Sequence, residues 1–305
     1  MRWPADHPQL TDDALRPFEP AAAALADGSR VVQVLRHLDR RRVATLLERE
    51  SDGKLAVLKV FASPRARGND RRLRLLAAGP AASIVPSSLG VDPLGHGHLL
   101  SYHPGRELVE LADDDFVASC RRVGIALRRL HDCGAVLDRS WGWPEEAAQL
   151  HRQALPSTRP AVDQLLADAR GTDGGDWVCA HRDCHPGQVI VEPTGDVRWI
   201  DLDDCVMAPR SLDVGNMVAH LRRENLRGAR DVEVAVAAER QFLDGYQAGS
   251  VVGLTGLDRW IDVATLRLAA LAATRHRDWP LHDSLMLSRW QESPFGTASG
   301  ALVSR

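Results

Sequence analysis

Three oxygen-bearing side chains, Asp183, Gln188 and Asp201, stand close together in the sequence and could bind a metal ion and move a proton. Between the last two lie short apolar runs on either side of a turn that contains Pro and Gly, which predicts a β-hairpin. Residues equidistant from such a turn lie opposite each other, so we expect Val191 to face Arg198. The same register predicts that Gln188 and Asp201 meet at the open end of the hairpin.

This set of groups favours phosphoryl transfer. A carboxylate together with an amide oxygen suits a hard cation such as Mg²⁺ that also binds phosphate oxygens. A second carboxylate nearby can accept the proton of an attacking hydroxyl. Positioning and charge neutralisation do most of the work in kinase-type transfer. The alternatives are a surface hairpin with solvated carboxylates, or zinc bound by the Cys and His residues of 179–185. Zinc is disfavoured because structural zinc sites usually draw on two separated ligand pairs.

The elements that would position these groups begin with a predicted β-meander over residues 31–61. Its third strand, 55–61, follows an Asp-Gly turn, which is a strong hairpin signal. Alternation places Val57, Lys59 and Phe61 on one face of that strand. A lysine among apolar neighbours is costly unless an anion pairs with it. We therefore predict an anion partner for Lys59; the alternative is an edge-strand lysine that reaches solvent.

Helical periodicity dominates the rest of the chain. A helical lead occupies residues 1–30 and is expected to cap the sheet. Further helical patterns cover residues 107–138, 160–169, 214–226, 232–248 and 257–274. Near the end of the first of these, His131 is expected to be a packed core histidine. Strands followed by helices predict an α+β fold.

A family resemblance joins these observations. The chain resembles the aminoglycoside phosphotransferase and choline kinase family, a branch of the protein-kinase-like fold, in the order of its polar residues. The family signature is similar to His181-x-Asp183 followed by Gln188, then Asp201, then the segment 211–216. The family usually has Asn where this chain has Gln188, which offers the same amide oxygen on a longer arm.

The resemblance implies a two-lobed architecture, with a small antiparallel-sheet lobe over 1–103 and a larger, mainly helical lobe over 104–305. It places ATP in the cleft between the lobes. By resemblance Asp183 is the catalytic base, Gln188 and Asp201 hold Mg²⁺, and Lys59 binds the α- and β-phosphates.

Further roles follow from the same resemblance. His181 and Asp213 support the catalytic loop. Backbone groups around Leu100, Tyr102 and His103 form the hinge that binds adenine.

Two features depart from the family pattern. Residues 36–42, where a Gly-rich turn is usual, hold no glycine. The arginines of this turn could contact phosphate instead, or the turn could be solvated, which we prefer. The helix after Phe61 should carry a Glu that pairs with Lys59, and it offers only Asp70, our candidate for orienting Lys59 in the cofactor site.

Composition limits the class of protein. The 305 residues carry a net charge of −3, so nothing indicates a nucleic-acid partner. The N-terminus lacks a signal peptide and no apolar run is long enough for a membrane helix. Five cysteines without framework spacing favour reduced thiols and a cytoplasmic protein.

The function predicted from the sequence is an ATP- or GTP-dependent, Mg²⁺-requiring kinase for a hydroxyl of a small molecule. The acceptor expected by resemblance is a sugar, amino sugar or aminoglycoside-like antibiotic. We expect a monomer or homodimer with neither a nucleic-acid nor a membrane partner. The alternative is an inactive nucleotide-binding regulator of the same fold.

Overall fold

Alternating apolar residues in the N-terminal third build a five-stranded antiparallel sheet in the computed structural model, which describes residues 3–168 and 175–288. The strands run in the order β1-β2-β3-β5-β4. Their bounds are β1 Ser29–Leu38, β2 Arg42–Arg49, β3 Leu55–Phe61, β4 Ser88–Val91 and β5 Gly97–Ser101. The predicted meander is therefore present, with a longer first strand than the apolar run suggested.

Lys59 lies in β3, the central strand of this sheet. It pairs with Ala44 of β2 on one side and with His98 of β5 on the other. Leu58 and Val60 point to the opposite face and join an apolar cluster with the helical lead, which supplies Leu15. The lead contains two short helices, α1 Pro8–Thr11 and α2 Glu19–Leu25. Helix α3, Ala66–Ala77, follows the third strand.

The chain divides into two compact units. The smaller unit comprises Met1–Pro104 together with Arg198–Asp203, and the larger comprises Gly105–Val197 and Asp204–Arg305. The sequence predicted a single division at residues 103 and 104. The structure differs in assigning the short segment that contains Asp201 to the smaller unit.

The larger unit is mainly helical. Its helices are α4 Asp113–His131, α5 Trp143–Gln153, α6 Arg159–Asp168, α7 Arg210–Leu226, α8 Val232–Tyr246, α9 Leu257–Leu271 and α10 Trp279–Ser288. Strands β7 Trp177–Ala180 and β10 Val206–Pro209 pair antiparallel, and β6 Arg106–Glu107 pairs with β8 Val189–Val191. A core around Trp260 and Leu212 joins α7, α9 and β10.

The first helix of this unit begins later than its sequence pattern predicted. Residues 106–110 form β6 and a single turn of 3-10 helix, so α4 starts at Asp113. The three acidic residues Asp113, Asp114 and Asp115 occupy its first turn, where negative charge is favourable. The helix predicted over 160–169 corresponds to α6, and the prediction for residue 169 lies outside the described residues.

The hairpin register differs by one residue from the prediction. β9 spans Val197–Trp199. The N–H of Glu192 donates to the carbonyl of Asp196 at 2.9 Å, and Gly195 has a φ of 84°. A three-residue loop of this kind contains a bulge at the glycine, and it sets Val191 opposite Val197 rather than Arg198. The pairing used to bring Gln188 to Asp201 was therefore wrong by one position.

No helix within the described parts of the chain is both long and apolar enough to cross a membrane.

Candidate active site

Lys59 has two carboxylate partners within the smaller unit. Its Nζ lies 2.8 Å from Asp201 Oδ1 and 3.2 Å from the carboxylate of Asp203. The lysine side chain is only 11% exposed. Burial by itself would lower the pKa of Lys59, but the two carboxylates raise it above its ordinary value. The ammonium is therefore charged and held at a fixed point.

Asp201 follows β9 in a left-handed backbone conformation, with a φ of 58°. A non-glycine residue in this region is uncommon. Burial would raise the pKa of the Asp201 carboxyl, but Lys59 and Arg42 hold it well below its usual range. The group is thus an anion at neutral pH, as a metal ligand must be.

Arg42 and Asp203 complete this cluster, and neither was predicted to belong to it. The Arg42 guanidinium donates to both oxygens of Asp201, at 2.8 and 2.7 Å, and to Asp203 at 3.0 Å. Arg42 belongs to the glycine-free segment that we expected to be solvated. The only available signals were an arginine at the start of a strand and a second acid two residues after Asp201.

Asp70 does not orient Lys59 in this structure. Its carboxylate instead accepts hydrogen bonds from Arg74, at 2.8 Å, and from the hydroxyl of Ser88. Arg74 lies one helical turn after Asp70, so the pair is a local i,i+4 interaction that needs no long-range partner. The helix after β3 reaches the cluster through a different residue, because Arg72 donates to the carbonyl of Asp203 at 2.6 Å.

The expected adenine-binding hinge lies at the end of the smaller unit. Leu100 and Ser101 are the last residues of β5, and Leu100 is buried. Tyr102 and His103 are half-buried. The imidazole of His103 lies 3.2 Å from the hydroxyl of Ser101. Adenine binding at this segment stays a prediction.

Asp183 and Gln188 lie in one loop of the larger unit. The Gln188 amide nitrogen donates to Asp183 Oδ2 at 3.3 Å, so this bond leaves the amide oxygen to other partners. Gln188 is buried, whereas the Asp183 side chain is 55% exposed. His185 Nε2 lies 3.8 Å from the same Asp183 oxygen. The loop therefore exposes the carboxylate of Asp183 next to the buried side chain of Gln188.

Asp213 at the start of α7 holds the backbone of that loop. Its Oδ2 accepts the N–H of His181 at 2.6 Å, and its Oδ1 accepts the N–H of Arg182 at 2.8 Å. Its Oδ2 also lies 3.0 Å from His131 Nε2. Arg182 has a φ of 70°, so this clamp stabilises an uncommon backbone conformation. Asp213 therefore holds the backbone of the loop that carries Asp183.

The charge of Asp213 is maintained in a fully buried place. Burial would raise the pKa of its carboxyl, but the hydrogen bond from His131 and the nearby loop lower it. Burial also lowers the pKa of His131. The other nitrogen of His131 lies 2.7 Å from the Tyr246 hydroxyl, so this histidine is a packed and hydrogen-bonded core residue.

Three further side chains of the larger unit contact the same loop. Asn216 donates to the carbonyl of Cys184 at 2.8 Å. The Arg182 guanidinium stacks on the ring of Trp141 at 3.6 Å and donates to Gln149 at 3.1 Å. Burial raises the pKa of the Cys184 thiol well above its usual value, which makes this cysteine unreactive.

The oxygen donors predicted as metal ligands are of the hard type. Asp201 of the smaller unit offers carboxylate oxygens, and Gln188 of the larger unit offers an amide oxygen. Each is a ligand type that Mg²⁺ takes together with water and phosphate. Within residues 3–168 and 175–288, the sole cluster of three metal-ligating Asp, Glu, His or Cys groups is Asp12, His37 and Asp39. The described cysteines and histidines of 179–185 form no such cluster.

Comparison with known proteins identifies the family of this fold. The sequence profile of the phosphotransferase enzyme family matches residues 12–250. No curated protein matches the chain in sequence.

Solved structures of related kinases superpose on most of the chain. An amicoumacin kinase solved with AMP-PNP, Ca²⁺ and Ami has a TM-score of 0.69 and 16% identity, covering 94% of this chain and 97% of its own. A choline/ethanolamine kinase family protein from Mesorhizobium loti has a TM-score of 0.64 and 16% identity, covering 93% and 98%. An aminoglycoside phosphotransferase from Streptomyces rimosus, solved with ADP and streptomycin, has a TM-score of 0.59 and 18% identity, covering 83% and 98%. At these identities the likeness shows the fold, and the predicted kinase-like α+β class is confirmed.

Proposed function

The chain belongs to the phosphotransferase enzyme family, and from this premise we propose that it is a kinase that transfers the γ-phosphate of ATP to a hydroxyl of a small polar molecule. The observation that carries the proposal is the buried contact of 2.8 Å between Lys59 and Asp201. It brings together two groups of the types that phosphoryl transfer needs, a cation for phosphate and an anion for a metal ion.

In this proposal Asp183 accepts the proton of the acceptor hydroxyl and orients its oxygen toward the γ-phosphorus. The exposure of its carboxylate and its fixed loop support that role. Lys59 binds the α- and β-phosphates. Asp201 and Gln188 would hold Mg²⁺, which when bound neutralises phosphate charge. His181 and Asp213 keep the loop in place, and the segment from Leu100 to His103 binds the adenine through its backbone.

The acceptor proposed is a sugar, an amino sugar or an aminoglycoside-like antibiotic. Two buried acids of the larger unit, Glu224 and Glu239, are paired with neighbouring arginines. Glu224 accepts from Arg227 at 2.6 Å, and Glu239 accepts from Arg222 at 2.7 and 2.8 Å.

A two-stage experiment tests this function. Thermal unfolding is measured with and without Mg-ATP, with Mg-GTP as the comparison, and nucleotide consumption is then measured against sugars, amino sugars and aminoglycosides. A ligand at 100 times its dissociation constant stabilises the folded state by about 2.7 kcal/mol. We expect stabilisation by Mg-ATP and turnover with at least one acceptor. Stabilisation without turnover on any acceptor would support the regulator instead.

The base assignment has its own prediction. Asp183→Ala should retain Mg-ATP binding and lose transfer by about 10²–10⁴-fold, the usual contribution of a positioned general base. The measurement is kcat with the best acceptor, alongside nucleotide affinity by calorimetry. Asp231→Ala serves as the control, because Asp231 is exposed and its side chain does not cap the helix that follows it. Unchanged turnover in Asp183→Ala would contradict the assignment.

A further inference from the structure

Arg42 engages the carboxylate that the proposed function gives to magnesium. Its two terminal nitrogens bind the two oxygens of Asp201 at 2.8 and 2.7 Å, and one of them also contacts Asp203 at 3.0 Å. With Lys59, the cluster holds two cations and two carboxylates. All four side chains are at most 20% exposed. Each charge is therefore balanced by a neighbour rather than by water.

A metal ion at Asp201 would compete with the cations already bound there. Oδ1 of the carboxylate accepts hydrogen bonds from both Arg42 and Lys59, and Oδ2 accepts one from Arg42. A metal ion on Oδ1 displaces one of these bonds, because a carboxylate oxygen has two lone pairs, and a metal ion on Oδ2 repels the guanidinium beside it. The guanidinium stays charged at any physiological pH. It shares its other carboxylate partner, Asp203, with Lys59, so a further anion beside the metal ion would balance its charge.

The phosphates of a nucleotide are the partner that fits. Guanidinium binds phosphate oxygens through two parallel hydrogen bonds, which a lysine ammonium cannot do. Arg42 ends the turn that in this chain holds no glycine, so its backbone cannot approach phosphate as closely as a glycine-rich turn can. The long cationic side chain of Arg42 can reach phosphate oxygens that the backbone of this turn cannot approach.

We propose that Arg42 is a phosphate-binding residue of the nucleotide site, which neutralises Asp201 in the free protein and transfers its guanidinium to the nucleotide when the metal ion arrives. The inference rests on the proposed kinase function. Lys59 does not become unpaired in the exchange, because it keeps its contact with Asp203.

The structure holds the turn that carries Arg42 in a defined position. Asp12 of the helical lead accepts the N–H of Arg40 at 2.8 Å and a hydrogen bond at 2.9 Å from the His37 imidazole. The side chain of Asp12 is 2% exposed. A contact of this kind fixes the backbone two residues before Arg42, so the side chain rather than the whole turn is the part free to change partners.

The test uses two affinities that should change in opposite directions. In Arg42→Gln, Mn²⁺ binding to the nucleotide-free protein, followed by electron paramagnetic resonance, should tighten several-fold because Asp201 loses a competing cation. Mg-ATP binding, followed by calorimetry, should weaken by about 10- to 100-fold because a bidentate phosphate contact is lost. Arg42→Lys keeps the positive charge but cannot form two parallel hydrogen bonds to phosphate. Its Mn²⁺ affinity and its Mg-ATP affinity should both lie between those of Arg42→Gln and those of the unmodified protein.

Arg30→Gln is the matched control. Arg30 pairs with Glu48 at the opposite end of the same two strands, and its side chain is 64% exposed. It should leave both affinities unchanged. If Arg42→Gln or Arg42→Lys weakens both affinities together, Arg42 has only a structural role and the inference fails. If the unmodified protein binds Mg-ATP and transfers phosphate while Arg42→Gln retains normal Mg-ATP affinity, the inference about Arg42 fails and the proposed function stands. If the unmodified protein does not bind Mg-ATP, the proposed function fails and this inference with it.

Discussion

Asp213 shows how one buried carboxylate can hold the backbone of a loop. It satisfies two successive backbone N–H groups, of His181 and Arg182, and is itself held by His131. Hydrogen bonds to a charged acceptor are roughly twice as strong as neutral ones. The charge therefore stabilises a loop conformation whose backbone would otherwise be strained at Arg182.

Replacing Asp213 by Asn tests this role. Asn keeps the size of the side chain but has one oxygen, and its NH₂ would face backbone donors. We expect stability to fall by about 2–4 kcal/mol, because buried donors lose a charged acceptor. We also expect kcat to fall more than tenfold while Mg-ATP affinity stays within about threefold. Urea unfolding and steady-state kinetics measure the two effects.

Asp231→Asn makes the same chemical change at an exposed position and should behave like the unmodified protein. An Asp213→Asn protein with normal stability and normal kcat would show that the loop keeps its conformation without the charge.

The residue types of the site could be predicted from sequence, but their partners could not. Lys59 was predicted to need an anion, because an isolated buried ammonium is costly. The anions are Asp201 and Asp203, which lie 142 and 144 positions further along the chain. The expected partner, Asp70, belongs to the helix that follows β3. It pairs locally with Arg74, since an i,i+4 contact costs less chain entropy than a long-range one.

Periodicity predicted the elements well where they are regular. β3 covers the same residues as its apolar run, because alternation and an Asp-Gly turn define both of its ends. The hairpin after Gln188 was predicted, but its register was wrong by one. A loop of two residues and a loop of three with a glycine bulge differ by one position in pairing, and a Pro/Gly turn is compatible with either.

Helices α4 and α8 approach each other at two glycines. A Cβ added to Gly124 would lie 2.1 Å from the carbonyl oxygen of Phe242 and 2.6 Å from the backbone nitrogen of Tyr246. A Cβ added to Gly245 would lie 2.0 Å from the carbonyl oxygen of Arg121. The atoms that such a Cβ would meet belong to the backbone and cannot rotate away. A side chain at Gly124 or Gly245 would therefore push the two helices apart. Tyr246 in turn contacts His131 next to Asp213.

Gly124→Ala should therefore destabilise the protein despite the better helix propensity of Ala. Overpacking of this kind costs about 1–3 kcal/mol, more than the roughly 1 kcal/mol gained from propensity. The midpoint of urea unfolding measures the difference. Gly253→Ala is the control, because a Cβ at Gly253 meets no atom within 4 Å. Equal midpoints for the two variants would mean that the helices do not pack this closely.

The molecule as a whole should lose stability in mild acid through its buried histidines. Burial lowers the pKa of His98 and of His7 to about 4 in each case. The unfolded chain takes up these protons near pH 6.5, whereas the folded chain does so only near pH 4. The free energy of unfolding that these two neutral histidines contribute is thus fully present above pH 6.5 and is lost as the pH falls toward 4. Both residues belong to the smaller unit.

The prediction is that His98→Gln lowers the melting temperature at pH 7.5 but flattens its decline between pH 6.5 and 4.5. Each such histidine can contribute a slope of up to about 1.4 kcal/mol per pH unit in that range. Calorimetric scans across this range measure it. His276→Gln, at an exposed position, should leave the decline as steep as in the unmodified protein. Parallel curves for His98→Gln and the unmodified protein would contradict the assignment.

The sequence alone determined the fold class, the family and the chemical types of the proposed site. These properties depend on short segments of the chain. Examples are the strand period, the spacing from His181 to Asp183 and the acid that follows a hairpin. The tertiary structure alone decided which charges neutralise one another. Arg42 and Asp201 are 159 residues apart, and only the folded backbone gives a guanidinium and a carboxylate the 2.7 Å separation that makes them a pair. A long-range ion pair leaves no periodic trace, because its energy depends on distance in space rather than on position in the chain.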